Sequence, residues 1–203
     1  MDNFRAKEAK EGLSCMEKRL IDINANGPIV MPAVVVTVGT WDEANLITLA
    51  YVGKVAAEPP VMAISIRPSR YSSSLIEKYG EFVINVPDSS QSQLHAVDFC
   101  GTRTGKKVDK WKELNLTKEK AKEIQAPIIK EFPWNFECKV IERKKIGSHV
   151  CYWGEVLAVH AAVDTLKGDG LDETKQDQLI YIAGTYYRME NAPCGKEGFS
   201  RKK

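Results

Sequence analysis

Short β-branched segments, separated mostly by a few turn residues, dominate the first half of this chain. The segment AVVVTVGTW (33–41) is almost continuously apolar, LITLAYVGKVAA (46–57) follows a four-residue turn, and VMAISIR (61–67) and EFVINVP (81–87) come next. Segments of this composition and spacing predict β-strands. Because the strands do not alternate with long helices, we predict a mainly β fold with helical insertions, an antiparallel barrel or sandwich, rather than a doubly wound parallel sheet.

The rest of the chain adds further strands and short helices. The predicted elements are helices at 4–20, 89–100 and 106–114, strands at 135–146, 149–163 and 179–189, and a polar loop at 164–178. Gly154 interrupts its strand and indicates a β-bulge or a close approach of the backbone. Since there is no internal repeat and no linker, we predict one domain over residues 1–203, with a helical extension at 1–24 and a basic tail at 190–203.

The composition argues against several classes of protein. A formal net charge of +2 over 203 residues is not typical of a nucleic-acid-binding protein. No apolar run approaches the ~18 residues of a membrane span, and the charged N-terminal segment lacks the apolar stretch of a signal peptide. We therefore expect a cytoplasmic protein whose partners include neither nucleic acid nor membrane.

Side chains for metal binding or nucleophilic catalysis are scarce. Five cysteines include no C-x-x-C spacing, and no serine stands in a nucleophile elbow. The segment GTRTGKK (101–107) lacks the Ser or Thr that follows Lys in a P-loop. Of the three histidines, His95 and His160 are best explained as structural or exposed, whereas His149 follows Gly147 at the start of a strand and is either structural or functional. We expect no metal site and no catalytic triad.

The segment SIRPSRYSSSLIEKYG (65–80) joins a strand to a helix and concentrates arginines and hydroxyls. Ser74 and Glu77 have the spacing of a capping box, which predicts that the helix begins near Ser74. Free N–H groups at a helix N-terminus attract anions, and Arg67, Arg70 and the serines add hydrogen-bond donors. The segment is therefore either a phosphate-binding site or an ordinarily capped surface helix.

A second polar group lies on the preceding strand pair. Asn45, Thr48 and Tyr51 place an amide, a hydroxyl and an aromatic ring near one turn. A planar polar ring requires such groups along its rim and apolar walls on its faces. The alternative is that Asn45 only forms the turn and that Thr48 reflects β-propensity.

Together these segments resemble the flavin reductase family, the group of FMN-binding split β-barrel proteins that includes flavoredoxin. The resemblance runs from about Pro28 to Tyr187 and is carried by GPIVMPAVVVTV, NLITLAYVGKVAAEPPVMAISIRPSRYSSSLI, EFVINVP, DFCGTRTGKKVDKWKELNLT and GSHVCYWGEV, in that order. It implies an antiparallel Greek-key split barrel that forms a homodimer and binds FMN non-covalently near the subunit interface.

The resemblance also implies the residues of an FMN site. In the family the Asn-x-x-Thr stretch holds the flavin ring and ribityl chain, and the strand after EPP lies along the flavin. The Arg-x-Ser stretch binds the phosphate, and the CGTRTGKKVDKW loop flanks the cofactor. The corresponding residues of this chain are Asn45, Leu46, Ile47, Thr48, Ala50, Tyr51, Ser65, Ile66, Arg67, Arg70, Tyr71, Ser72, Cys100, Gly101, Lys106 and Lys110.

His149 matches the His-x-x-x-x-Gly pattern of the family, with Gly154 in register. The resemblance implies that His149 lies near the flavin ring and helps to position a nicotinamide donor. Family members often carry Asp before this His, whereas this chain has Ser148.

The function implied by the resemblance is that of an FMN-dependent oxidoreductase. Such an enzyme passes electrons from NAD(P)H through bound FMN to a small-molecule or protein acceptor. Two alternatives stay open at this point. One is a flavoredoxin-type electron-transfer protein that does not use NAD(P)H directly, and the other is a non-catalytic ligand-binding barrel.

Overall fold

Strands account for most of the regular structure of the chain. The computed structural model describes residues 15–23, 25, 27–189, 192–195 and 197–200. In chain order the elements are β1 (Met31–Pro32), β2 (Val34–Val38), β3 (Asn45–Leu49), β4 (Val52–Ala56), β5 (Val61–Ile66), α1 (Tyr71–Tyr79), β6 (Glu81–Val86), α2 (Gln91–Thr102), α3 (Lys110–Glu113), β7 (Lys118–Glu119), β8 (Ile128–Ile129), β9 (Trp134–Ile146), β10 (His149–Ala161), β11 (Leu166–Lys167), β12 (Gly170–Leu171), β13 (Leu179–Ile182) and β14 (Thr185–Arg188), with 3₁₀ turns at Val163–Thr165 and Glu173–Lys175.

Seven strands form one sheet in the order β3-β2-β6-β9-β10-β5-β4. Every pair of neighbours in it is antiparallel. The two edge strands, β3 and β4, are consecutive in sequence and are separated only by Ala50 and Tyr51. The sheet therefore curls into a half-barrel, and the prediction of a mainly β, antiparallel barrel is confirmed.

The interior of the curled sheet is filled by one apolar cluster. Val36, Ile64, Phe82 and Tyr152 belong to it, and α1 packs its apolar side chains into the same cluster. Burial of a large apolar side chain contributes about 1.5–3 kcal/mol to the free energy of unfolding. The interior cluster therefore holds the strands and α1 in fixed relative positions.

β2 is buried on both faces, which explains its almost continuous apolar sequence. Val34, Val36 and Val38 face the interior cluster, whereas Val35 belongs to a second cluster. Helices α2 and α3 cover this second cluster with side chains that include Val97 and Trp111. None of the helices in the described part of the chain is long and apolar enough to cross a membrane.

Gly154 lies in β10, where the interior cluster leaves no room for a side chain. An added Cβ would stand 2.6 Å from Phe82 Cζ and 2.8 Å from Cys138 Cβ. The register between β9 and β10 also shifts between Trp153 and Gly154. The predicted bulge and the predicted close approach of the backbone are both confirmed.

Two predicted strands are wrong in extent. The strand predicted over 46–57 is broken at Ala50–Tyr51, because the chain passes there from one edge of the sheet to the other. The strand predicted over 179–189 is the hairpin β13–β14, which turns at Ala183 and Gly184. β13 pairs with β1 instead of joining the large sheet.

One predicted helix is shorter than expected, and another lies mostly outside the described residues. The helix predicted over 106–114 is shortened to α3, because Asp109 caps its N-terminus by accepting the N–H groups of Trp111 and Lys112. Of the helix predicted over 4–20, residues 4–14 lie outside the described residues, and residues 15–20 are neither helix nor strand. The basic tail predicted at 190–203 is described only at 192–195 and 197–200.

Two buried carboxylates fasten the segment between β7 and β8 to the sheet. Glu137, which is 0% exposed, accepts the N–H groups of Lys122 and Glu123 and a hydrogen bond from His160 Nε2 at 2.5 Å. Burial raises the pKa of Glu137, but these hydrogen bonds outweigh burial and leave the pKa below its usual value. Glu81 accepts two further N–H groups of the same segment. The carboxylates therefore replace strand pairing where this segment crosses β6 and β9.

Candidate functional site

A cleft of about 690 Å³ opens beside the bend between β3 and β4. Its walls come from β3, the end of β5, the last turn of α2, the start of β10 and the hairpin β13–β14. A smaller cavity of about 100 Å³ adjoins it, and the two share Ile47, Arg70 and Gly101. The combined space has the size of a small-molecule site.

Nearly all of the residues singled out in the sequence line one of these two cavities. Ten line the cleft: Ile47, Thr48, Ala50, Tyr51, Ser65, Ile66, Arg67, Arg70, Gly101 and His149. Six others line the smaller cavity: Asn45, Tyr71, Ser72, Cys100, Lys106 and Lys110. Leu46 lines neither, because its side chain is 0% exposed and packs in the second cluster beneath α2.

The N-terminus of α1 opens onto the smaller cavity. The helix begins at Tyr71, and Arg70 at the N-cap position makes no side-chain capping hydrogen bond. The capping box predicted at Ser74 is wrong, because Ser74 Oγ donates to the carbonyl of Tyr71 inside the helix. Glu77 instead accepts from the Tyr152 hydroxyl of β10 at 2.5 Å. The N–H of Ser73 donates to the carbonyl of Arg70 at 2.9 Å, so the N–H groups of Tyr71 and Ser72 are the ones left to a ligand or to water.

Asn45 and Ser72 join β3 to the first turn of α1. Asn45 Nδ2 donates to Ser72 Oγ at 2.7 Å, and the two residues are only 7% and 1% exposed. The loop between α2 and α3 lies directly over Asn45, since an added Cβ at Gly105 would stand 2.6 Å from Asn45 Cγ and closer still to Oδ1. This contact fixes the position of Thr104 and Lys106 beside the helix N-terminus.

Lys110 is buried and joins the two cavity walls. Its ammonium donates to the carbonyl of Leu46 at 2.6 Å and to that of Cys100 at 2.7 Å. Burial, and then the charge of Arg70, lowers the pKa of Lys110. Burial raises the pKa of the Cys100 thiol to about 12, so this thiol is protonated at neutral pH and is not a nucleophile. Leu46 therefore takes part in the site through its carbonyl, not through its side chain.

Thr48 positions β3 against the last turns of α2. Its hydroxyl donates a short hydrogen bond to the carbonyl of Val97. An added Cβ at Gly101 would stand 3.3 Å from Thr48 Cβ, so the helix backbone lies close to the strand at this point. The cleft consequently has a rigid floor made of β3 and α2.

His149 stands at the mouth of the cleft. Its ring centroid lies 5.4 Å from that of Tyr51, with 55° between the planes, and its Nδ1 lies 2.8 Å from Ser148 Oγ. Partial burial, and then the charge of Arg67, lowers the pKa of His149. The imidazole is therefore neutral at pH 7 and can accept or donate a hydrogen bond without carrying charge.

The sequence reasoning missed several residues that line the cavities. They come from the segment before β2, from the end of β3, from the loop before α1, from α2 and the loop after it, and from β13–β14: Ala25, Gly27, Ile29, Met31, Ala33, Leu49, Ser69, Asp98, Thr102, Arg103, Thr104, Gly105, Tyr181, Ala183, Gly184 and Tyr186. Arg103 and Thr104 lie in the quoted GTRTGKK segment and could have been included. The residues of β13–β14 give no local signal, because only the pairing of β13 with β1 brings them to the cleft.

Comparison with known proteins assigns the chain to a family. Residues 27–190 match the family described as flavin reductase like domain. The chain belongs to the flavin reductase-like family. The curled antiparallel sheet is the split barrel of these flavin proteins, as the resemblance implied.

Solved structures of two flavoredoxins are similar to this chain over most of its length. Flavoredoxin from Methanosarcina acetivorans is 27% identical with a TM-score of 0.81, over 91% of this chain and 97% of that one. Flavoredoxin of Desulfovibrio vulgaris (Miyazaki F) is 28% identical with a TM-score of 0.79, over 93% and 100% of the two chains. A protein named NADH-dependent FMN reductase, from Streptomyces nodosus subsp. asukaensis, is 24% identical, and the match covers 84% of each chain.

Proposed function

We propose that this protein binds FMN in the two joined cavities and passes electrons from NAD(P)H through it to an acceptor. The observation that carries the proposal is that two adjoining cavities place a helix N-terminus without a side-chain cap, lined by cations, next to a larger cleft with polar and apolar walls. An FMN molecule has a dianionic phosphate at one end and a planar polar ring at the other, and so needs both parts.

The smaller cavity suits the phosphate. Arg70, Arg103, Lys106 and Lys110 all line it together with the first turn of α1. Oxyanions are held at such helix N-termini by backbone N–H groups, and cationic side chains add charge-assisted hydrogen bonds. Lys110 already donates two of its three hydrogens to carbonyls, so the third N–H and its charge are what it offers to an anion.

The larger cleft suits the ring and the ribityl chain. Thr48, Ser65 and backbone groups of the bend at Ala50–Tyr51 supply polar contacts along one side, and Ile47 and Ile66 supply apolar walls. The bound FMN would supply reversible two-electron chemistry. The role of the chain is to hold the ring, to exclude water from its faces and to place a donor beside it.

His149 is proposed to position the nicotinamide donor. As a neutral imidazole against Tyr51 at the cleft mouth, it presents a hydrogen-bonding edge without repelling or attracting charge. Arg67, beside it, offers a cation for the diphosphate of the donor. Support for NAD(P)H as the donor comes from the name of the Streptomyces relative.

A second candidate function is that of an electron carrier supplied by another protein. The similarity to two flavoredoxins over nearly their whole length favours it. The two candidates require the same FMN site and differ in whether NADH or NADPH reduces the bound flavin directly. Either one delivers electrons to an acceptor, which is a small molecule or a protein.

We also propose that the protein is a homodimer. The neighbouring strands β9 and β10, and the edge strand β4 beyond β5, carry exposed apolar side chains at Val55, Ile141, Leu157 and Val159. Several exposed apolar side chains on one sheet are typical of a protein interface. Sedimentation at twice 22.7 kDa is expected; a single species of 22.7 kDa would contradict the dimer.

The test of FMN binding is a fluorescence titration of FMN with the protein, in which binding quenches the flavin emission. We expect one FMN per chain and an affinity that Arg70→Ala lowers at least tenfold, since one charge-assisted hydrogen bond contributes about 1.5–3 kcal/mol. The control is Lys120→Ala, at an exposed lysine outside both cavities. Equal affinities for the two variants would remove Arg70 from the phosphate site.

A further inference from the structure

One part of the cleft has a chemistry that FMN binding does not use. Asp98 of α2 lines the cleft together with Tyr181 and Tyr186 of the hairpin β13–β14. These three residues are called the Asp98 corner below. Among the described residues that line the cleft, Asp98 carries the sole carboxylate.

The two tyrosines form an aromatic pair on one face of the hairpin. They are cross-strand partners, and their ring centroids lie 5.5 Å apart with 58° between the planes. The hairpin turns at Ala183 and Gly184, both of which have positive φ and line the cleft. The turn therefore presents only a methyl group and bare backbone to the cleft, and leaves the tyrosine rings accessible from it.

Asp98 is close enough to Tyr186 to interact with it electrostatically. Burial raises the pKa of Tyr186, and the negative charge of Asp98 raises it further. None of the ion pairs between described residues includes Asp98. The α2 residues Asp98, Gly101 and Thr102 are three and four positions apart and share the face of the helix that lines the cleft.

We propose that the Asp98 corner binds a planar aromatic cation, namely the oxidised, pyridinium form of a nicotinamide ring. Tyrosine faces attract cations within about 6 Å, and the unpaired carboxylate supplies the opposite charge. A dihydronicotinamide that gives up a hydride loses one proton and two electrons, and its ring passes from neutral to a charge of +1. The corner therefore discriminates between the two states of the donor by charge. The inference rests on the proposed function for the identity of the ring.

The two arginines that line the cleft, Arg67 and Arg70, are compatible with a cation at the Asp98 corner. Arg70 lies at the phosphate end, where it also lines the smaller cavity, and Arg67 acts on His149 at the mouth. Both cations are matched by phosphates in the proposed complex, whereas the carboxylate of Asp98 is left to the ring.

The test uses two probes that differ in charge and little else: 1-methylnicotinamide, a cation, and nicotinamide, which is neutral. Each is titrated into the FMN-loaded protein by isothermal calorimetry. For the native chain we expect the cation to bind about fivefold more tightly, in line with a partly exposed charge pair. Asp98→Asn is expected to remove that preference and to leave the affinity for nicotinamide unchanged. Asp169→Asn, at an exposed aspartate outside the cleft, is expected to behave as the native chain.

The proposal would be overturned if the preference for 1-methylnicotinamide over nicotinamide were equal in Asp98→Asn and Asp169→Asn, or if it persisted undiminished in 0.5 M salt. Anaerobic addition of NADH to the same samples tests the proposed function separately. If NADH reduces the flavin but the preference for 1-methylnicotinamide does not depend on Asp98, the proposed function stands and the role of the Asp98 corner is rejected. An Asp98-dependent preference without flavin reduction rejects the donor and keeps the corner as a site for another aromatic cation.

Discussion

Replacing Gly105 by Ala is predicted to weaken FMN binding about tenfold while leaving the chain folded. The new Cβ would stand 2.6 Å from Asn45 Cγ, so either Asn45 or the loop after α2 must move. Movement of Asn45 breaks its hydrogen bond to Ser72. Both residues are buried, so water does not replace the lost partner. A buried polar group left without its partner costs about 1–3 kcal/mol of the free energy of unfolding, and Asn45, which lines the smaller cavity, is moved from its place beside the phosphate.

Movement of the loop has the same consequence by another route. Thr104 and Lys106 would leave the smaller cavity and withdraw two donors from the phosphate. We expect the dissociation constant of FMN, from fluorescence quenching, to rise about tenfold, since a hydrogen bond to a charged group contributes about 1.5–3 kcal/mol and each 1.4 kcal/mol is roughly tenfold in affinity. The melting temperature should fall by about 2–12 °C, because each 1 kcal/mol shifts it by about 2–4 °C in a chain of this size.

The matched control is Gly170→Ala, on the short strand β12, where an added Cβ meets nothing closer than the Lys167 carbonyl at 4.0 Å. Its FMN affinity and melting temperature should equal those of the native chain. An FMN affinity of Gly105→Ala within twofold of this control would refute the assignment of the smaller cavity to the phosphate.

The remaining predictions concern the donor, the core and acid stability. His149→Ala is expected to slow reduction of the bound flavin by NADH more than it weakens FMN binding; the reverse pattern in stopped-flow and titration data would make His149 a cofactor or packing residue. Gly154→Ala should lower the free energy of unfolding by about 1–3 kcal/mol through overpacking against Phe82, measured by urea unfolding, and an unchanged midpoint would contradict the close approach. Glu137→Gln should cost about 2 kcal/mol at pH 7. Since the pKa of Glu137 is below its usual value of 4.5 in the folded chain, its contribution is present above that value and is lost as the pH falls through the folded pKa. The difference between Glu137→Gln and the native chain should therefore shrink as the pH falls below 4.5, and a difference independent of pH would contradict the account.

The sequence predicts the strands well where burial alone decides. β2 is buried on both faces and is apolar at almost every position, so its own sequence predicts a strand without knowledge of its neighbours in the fold. The break at Ala50–Tyr51 is different, because both flanking segments favour strands and only the curling of the sheet separates them. The start of α1 was also misplaced, since Ser74 and Glu77 have capping-box spacing but Glu77 is engaged by Tyr152, 75 residues further along the chain.

For the site, local motifs predict one wall and not the other. The residues taken from the Asn-x-x-Thr and Arg-x-Ser stretches lie together because β3, β5 and α1 are neighbours in the fold. Asp98 and Tyr186 are brought to the same cleft by the packing of α2 and by the pairing of β13 with β1. No periodicity or spacing in the sequence encodes those long-range contacts.

The central claim is that bound FMN accepts electrons directly from a nicotinamide donor. The most direct test is an anaerobic absorbance spectrum of the FMN-loaded protein before and after addition of NADH or NADPH. The account predicts prompt loss of the oxidised-flavin bands with one of the two donors. Bands that persist until dithionite is added would contradict the donor and favour the electron carrier, and a protein that fails to retain FMN at all would contradict the cofactor site itself.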